Sequence, residues 1–178
     1  MRTRCKHFTL IELLVVIAII AVLAGLLLPA LAGAREHAKR TRAQTEMKML
    51  QTAIAMYESD YGVLPMGVAA ADRVLTSAEY TAMIGYLQNA PGTLNARGKR
   101  YLDISTDQGP GVLNDPWSTT ANPQPYKVVL DLNYDGQIDA TAATTLATVI
   151  YGRVAAWSIG KNHLDEHGLE DDVNSWRQ

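Results

Sequence analysis

From Leu13 to Ala34 the chain runs for about 22 residues without a charged side chain, dominated by Leu, Val, Ile and Ala. A helix needs roughly 20 such residues to cross a 30 Å hydrocarbon core. Arg2, Arg4 and Lys6 precede the run, which raises a secretory signal peptide as the alternative. The run is longer than the usual signal core of about 7–15 residues. It also holds an acid, Glu12, near its start and passes without a turn signal into a polar helical pattern from Arg35. A membrane-anchoring helix is the better reading. A carboxylate inside such a helix costs about 2.5–3.5 kcal/mol on insertion scales, so it usually has a partner and a task. The bland alternative is an interfacial acid at the helix start, where the dipole favours negative charge.

The remaining sequence is long enough for one globular domain, since domains typically span about 100–200 residues. With 16 basic against 18 acidic side chains, the chain lacks the clustered basic surface that a nucleic-acid partner requires. Cys5 is the one cysteine, which rules out an intramolecular disulfide and a CxxC site. A small exported head without disulfides needs another staple, and a metal ion is the usual substitute.

Past Ala34 the helix is expected to continue to about Ser59. Ala43, Met47, Leu50, Ile54, Tyr57 and Tyr61 recur at alternating spacings of four and three, a single helical stripe suited to packing on a sheet. Gly62 and Pro65 then break the helix. Residues 66–110 are weakly patterned, with a short helix expected over Ser77–Leu87. From Asn114 the pattern turns to β: Tyr126–Leu132, Leu146–Tyr151 and Arg153–Ile159 carry β-branched and aromatic residues, and Gly152 marks a bulge or kink. The simplest packing is an α+β fold, with three or four antiparallel strands against the long helix.

Lys6-His7-Phe8-Thr9-Leu10-Ile11-Glu12-Leu13-Leu14-Val15-Val16-Ile17 closely resembles the signal of type IV prepilins and type II secretion pseudopilins. That resemblance implies a pilin-like fold and cleavage between His7 and Phe8 by a prepilin peptidase, which also methylates the new terminus. It makes Glu12 the assembly carboxylate that pairs with the terminal amine of a neighbouring subunit. His7 stands where the family usually has Gly, and Pro29 where many pilins carry a helix-loosening proline. Asp115-Pro116-Trp117, Pro125-Tyr126, Ala156-Trp157-Ser158-Ile159-Gly160 and Glu170-Asp171-Asp172 through Trp176 resemble the major pseudopilin of type II secretion.

The loop from Gly160 to Trp176 is rich in oxygen ligands, as calcium requires. The resemblance implies that calcium locks this loop, with Asn162, Asp165, Asp171 and Asp172 as the expected ligands. Asn162 stands at a family Asp position. A solvated acidic loop is the alternative. Asp131-Leu132-Asn133-Tyr134-Asp135-Gly136 begins like an EF-hand loop, but Ala142 stands where a bidentate Glu is needed at position twelve. A hairpin turn over Asn133–Gly136 is the favoured reading there, with a weak second cation site at Asp131, Asn133 and Asp135 as the rival. His163 and His167 have helical metal spacing, but Gly168 argues against a helix. No nucleophile–base pair or phosphate loop occurs, so an enzyme is not expected.

The implied organisation is a leader (1–7), an assembly helix in the membrane (8–34) and a periplasmic head (35–178). Within the head lie a helix continuation (35–61), a connector (62–113) and a sheet with the acidic loop (114–178). The implied protein is a pseudopilus subunit of the bacterial inner membrane, with its amino terminus cytoplasmic. Its partners would be itself, other pilin-like subunits, the prepilin peptidase and an assembly platform. A type IV pilus subunit and a non-polymerising membrane-anchored calcium- or ligand-binding module are the alternatives.

Overall fold

A computed structural model of the chain describes residues 10–90, 95–104, 112–119, 122–141 and 146–176. It divides into two compact units, Met1–Lys39 and Arg40–Gln178. The helix α1, Leu10–Tyr61, supplies residues to both.

In the first unit, over residues 13–34, α1 is apolar on every side. Leu10, Ile11, Leu26, Leu27 and Leu28 are 66–79 % exposed, and no part of the apolar window is buried. A helix of that kind is stable in lipid or among other apolar helices. Pro29 lies within it, where the missing N–H removes one helical hydrogen bond.

In the second unit the expected stripe is the buried face: Ala43, Met47, Leu50, Ile54 and Tyr57 are buried, and Tyr61 packs at their edge. Gly62, at φ +73°, ends the helix and donates its N–H to the Glu58 carbonyl. Asp60 in the last turn accepts from Lys99 Nζ and the Tyr101 hydroxyl, both at 2.8 Å, and so ties the connector to the helix end.

The helix faces a four-stranded antiparallel sheet in the order β1 (Arg73–Val74), β2 (Lys127–Leu130), β5 (Val154–Ser158), β6 (Val173–Asn174). Val128, Leu130, Ala156 and Val173 join the helix core. Val129, Ala155 and Trp157 face the other way and are covered by Ile138, Leu146, Ile150 and Trp176. That cover comes from a second sheet, β3 (Gln137–Ile138) paired with β4 (Ile150–Tyr151). The segment Leu146–Tyr151 thus yields only two strand residues, and Gly152 sits where the chain changes sheet. The expected hairpin over Asn133–Gly136 is a turn of another kind. Its flanking strands do not pair, since β2 pairs with β5 and β3 with β4.

The connector reaches the core as well. Helix α2 (Ser77–Gln88) starts at a capping box, with the Thr76 hydroxyl accepting from Glu79 N–H while Glu79 reaches back to Thr76 N–H. Tyr80, Met83, Ile84 and Leu87 pack into the helix core.

Candidate functional site

Two separate features carry the functional argument. The first is Glu12, in the first turn of α1 and exposed between Ile11 and Leu13. Carboxylates favour that end of a helix, but few lie on so apolar a surface. His7 and Phe8 fall outside the described residues.

The second is the loop after β5, which doubles back from Gly160 to β6. Gly160 has φ +66°, and a Cβ there would lie 2.7 Å from the Asp171 carbonyl oxygen. Only glycine lets the two limbs of the loop approach so closely. The Lys161 and Asn162 N–H groups donate to Asp171 Oδ2 at 3.0 and 3.1 Å. Those of Glu166 and Gly168 donate to Asp172 Oδ2 at 3.0 and 2.9 Å. Asn162 Nδ2 donates to Glu166 Oε1 at 2.9 Å. Each carboxylate is therefore held by one oxygen.

The other three oxygens, Glu166 Oε2, Asp171 Oδ1 and Asp172 Oδ1, are buried without a hydrogen-bond partner. Ligand atoms of these three residues lie within 4.8 Å of one another. Buried polar atoms are rarely left unsatisfied, and three on converging carboxylates fit a hard cation with oxygen ligands. The electrostatics agree. Burial, then the charges of Asp165 and Glu166, push Asp172 up to about 6 against the pull of nearby N–H groups. Glu166 is raised by burial and by the neighbouring acids. Asp171 is held below its ordinary value despite burial, through the Asn162 N–H.

The structure brings Asp171 and Asp172 together with Glu166 as the third acid, whereas Asn162 presents its Nδ2 to Glu166 while its Oδ1 accepts from Leu164 N–H at 2.7 Å, so its side-chain oxygen is not among the converging ligands. Asp165 points elsewhere: its Oδ1 accepts from Trp157 Nε1 at 2.9 Å and from His167 N–H, and Lys127 lies 3.7 Å from its Oδ2. Asp165 thus anchors the loop to the buried Trp157. The Asp115-Pro116-Trp117 motif anchors its start. Buried Asp115 accepts from Trp117 and Ser118 N–H through Oδ1 and from the Ser158 hydroxyl through Oδ2. That same hydroxyl oxygen accepts from Gly160 N–H.

At the far end Gly168, φ +78°, sits where a Cβ would come within 2.5 Å of the Trp176 ring. Gly168→Ala should therefore destabilise the full chain by about 1–3 kcal/mol in denaturant melts in detergent. Gly67→Ala has the same positive φ but open space, and should lose less. Equal losses would show that backbone strain alone matters at Gly168.

Residues 5–28 match the family described as the prokaryotic N-terminal methylation motif. The chain is 42 % identical over 173 residues to type II secretion system core protein G of Pectobacterium carotovorum, covering 97 % of this chain and 85 % of that protein. The protein of the same name from Aeromonas hydrophila is 27 % identical over 176 residues, covering 98 % and 94 %. That from Escherichia coli K12 is 45 % identical over 55 residues, 31 % of this chain and 38 % of the relative. No solved structure gives a match.

Proposed function

The chain belongs to the family of type II secretion system core protein G, the major pseudopilins, and from that premise we propose that it polymerises through α1 into a periplasmic pseudopilus. The family is structural, and the chain is not an enzyme. Its single apolar amino-terminal helix fits an inner-membrane-anchored protein. The observation that carries the proposal is the exposed, all-apolar first part of α1 with one acid in its first turn. That surface needs lipid before assembly and neighbouring helices after it. On this reading residues 1–7 are removed by the prepilin peptidase on the cytoplasmic side. Residues 8–34 move from membrane to filament core, and residues 35–178 form the outer head.

Glu12 then supplies the counter-charge for the amine of Phe8 on an adjacent subunit, which fixes the stagger between helices. Partners are further copies, other pilin-like subunits and the assembly platform. In the head, calcium is held by Glu166, Asp171 and Asp172 with Asn162 beside them. The ion closes a loop that has no disulfide.

Processing tests the proposal directly. Mass spectrometry of the membrane-extracted chain should find a terminus at Phe8, carrying an N-methyl group. An intact Met1 terminus in cells with an active prepilin peptidase would overturn it.

A further inference from the structure

Within the head, the outward face of α1 is unusually short of charge. Of its exposed residues between Ala43 and Tyr57, Lys48 alone is charged. The Thr45 and Thr52 hydroxyls turn inward, donating to the Thr41 and Lys48 carbonyls at 2.9 and 2.8 Å. Met49 and Met56 are each 45 % exposed. A helix face that stays in water normally carries charged and polar groups, and exposed Met is over-used on surfaces that bind other proteins.

One flank of this face holds a groove. Met49 and Ala53 lie about 60–100° round the helix from the outward Thr52, and residues 101–103 of the connector run beside them. The groove between the two has a volume of about 650 Å³ and is lined by Thr45, Met49, Ala53, Tyr101, Leu102 and Asp103. Its floor is apolar, since Ala53 and Leu102 belong to the helix core. At its rim the Asp103 side chain is 85 % exposed, with Arg100 at 3.5 Å.

The other flank has the reverse shape. Gln51 and Ala55 lie about 60–100° from Thr52 in the opposite sense, and there α1 borders β4 and the start of β5. Side chains alternate along a strand. Ile150 is buried against Val129 and Trp157, so Tyr151 is turned outward. Tyr151 is 85 % exposed, more than any other large apolar side chain among the described residues. A tyrosine buries about 150–250 Å² when it finds a partner.

We propose that in the filament Tyr151 of one copy seats in the groove at Met49, Ala53 and Tyr101 of the next copy, with its hydroxyl donating to Asp103. This inference rests on the polymerisation proposed above and adds a contact between heads to it. The occupant is a second copy because this chain carries both halves of the fit, on opposite flanks of one helix. A foreign partner would account for the groove or for the ring, but not for both. Contact between unlike patches leaves a ring free at one end and a groove free at the other. Such a contact propagates, and where its rotation does not close a ring it builds a helical filament. Met49 is flexible enough to close over the incoming ring, and Tyr101 offers it an aromatic edge or face.

The test is thiol cross-linking of the full chain in assembled filaments. Val149→Cys, two residues before Tyr151, is combined with Thr52→Cys at the groove; both positions are exposed, and the ring and its seat stay intact. A short bismaleimide should turn the double variant into a ladder of dimers, trimers and longer multimers. Each single variant should give no ladder, which also controls for Cys5, and the two single variants assembled together should stop at dimers. Adding Tyr151→Ala to the double variant should cut the ladder about tenfold, as loss of an aromatic anchor does, whereas Tyr151→Phe should keep most of it. Filaments that form normally but give no ladder would overturn the contact and leave polymerisation standing. Dimers from either single variant alone would overturn it too, because they would mean that like patches meet. Failure of the unmodified chain to form filaments would instead overturn the polymerisation on which the contact rests.

Discussion

Glu12→Ala should abolish filament assembly while leaving the chain in the membrane. Insertion should be unharmed or eased, because the substitution removes a carboxylate that costs about 2.5–3.5 kcal/mol in an apolar helix. Assembly should fail for the converse reason. In a filament core the amine of a neighbouring Phe8 would be left without its counter-charge, and breaking a buried pair by removing one partner costs about 3–5 kcal/mol. At 1.4 kcal/mol per tenfold in affinity, that raises the subunit concentration needed for assembly by roughly 100- to 4000-fold. Glu12→Gln keeps the shape without the charge and should fail as well. The measurement is electron microscopy of sheared or overexpressed filaments alongside membrane fractionation. Normal filaments from Glu12→Ala would make Glu12 an interfacial acid and nothing more.

The sequence showed Glu12 clearly because an acid in an apolar run stands out whatever the fold. The stripe from Ala43 to Tyr61 was equally legible, since a helix buried on one side repeats every three to four residues. The sheet was harder to read, and β2 shows why. Val128 and Leu130 pack on α1 while Val129, on the same face as Trp157, packs against Ile138. A strand covered on both faces loses its alternation, and Tyr126–Leu132 accordingly lacks a clean alternation of apolar and polar residues. What covers it, β3 with β4, is too short to announce itself.

Sites built from loops were legible in composition but not in detail. The acids of residues 160–176 promised a cation site, yet which of them converge depends on backbone reversals. His163, His167 and Glu170 all have positive φ, and no residue type there required it. Those reversals turn Glu166 inward and send Asp165 to Trp157.

Calcium removal should open the loop from Gly160 to Trp176 and lower the stability of the head. Glu166, Asp171 and Asp172 bring ligand atoms within 4.8 Å of one another, and when ionised without a cation they repel each other most strongly where they are buried. Binding to the folded state alone adds RT ln(1 + [L]/Kd), about 2.7 kcal/mol at a hundredfold excess over Kd. For a chain of this size that is a melting shift of roughly 5–10 °C. A melting shift by itself would not locate the ion, but the tryptophans do. Trp157 donates to Asp165 and meets Trp176 edge-on at 6.0 Å, while Gly168 is pressed against the Trp176 ring. Opening the loop should therefore wet Trp176 and red-shift its emission. With chelator, the full chain in detergent should show that red shift together with the lower midpoint, and calcium should reverse both. Asp171→Asn with Asp172→Asn should make the emission insensitive to calcium. Superimposable emission spectra with calcium and with chelator would mean that the acids of this loop are merely solvated. The orphaned oxygens of Glu166, Asp171 and Asp172 would then be satisfied by protons or water instead.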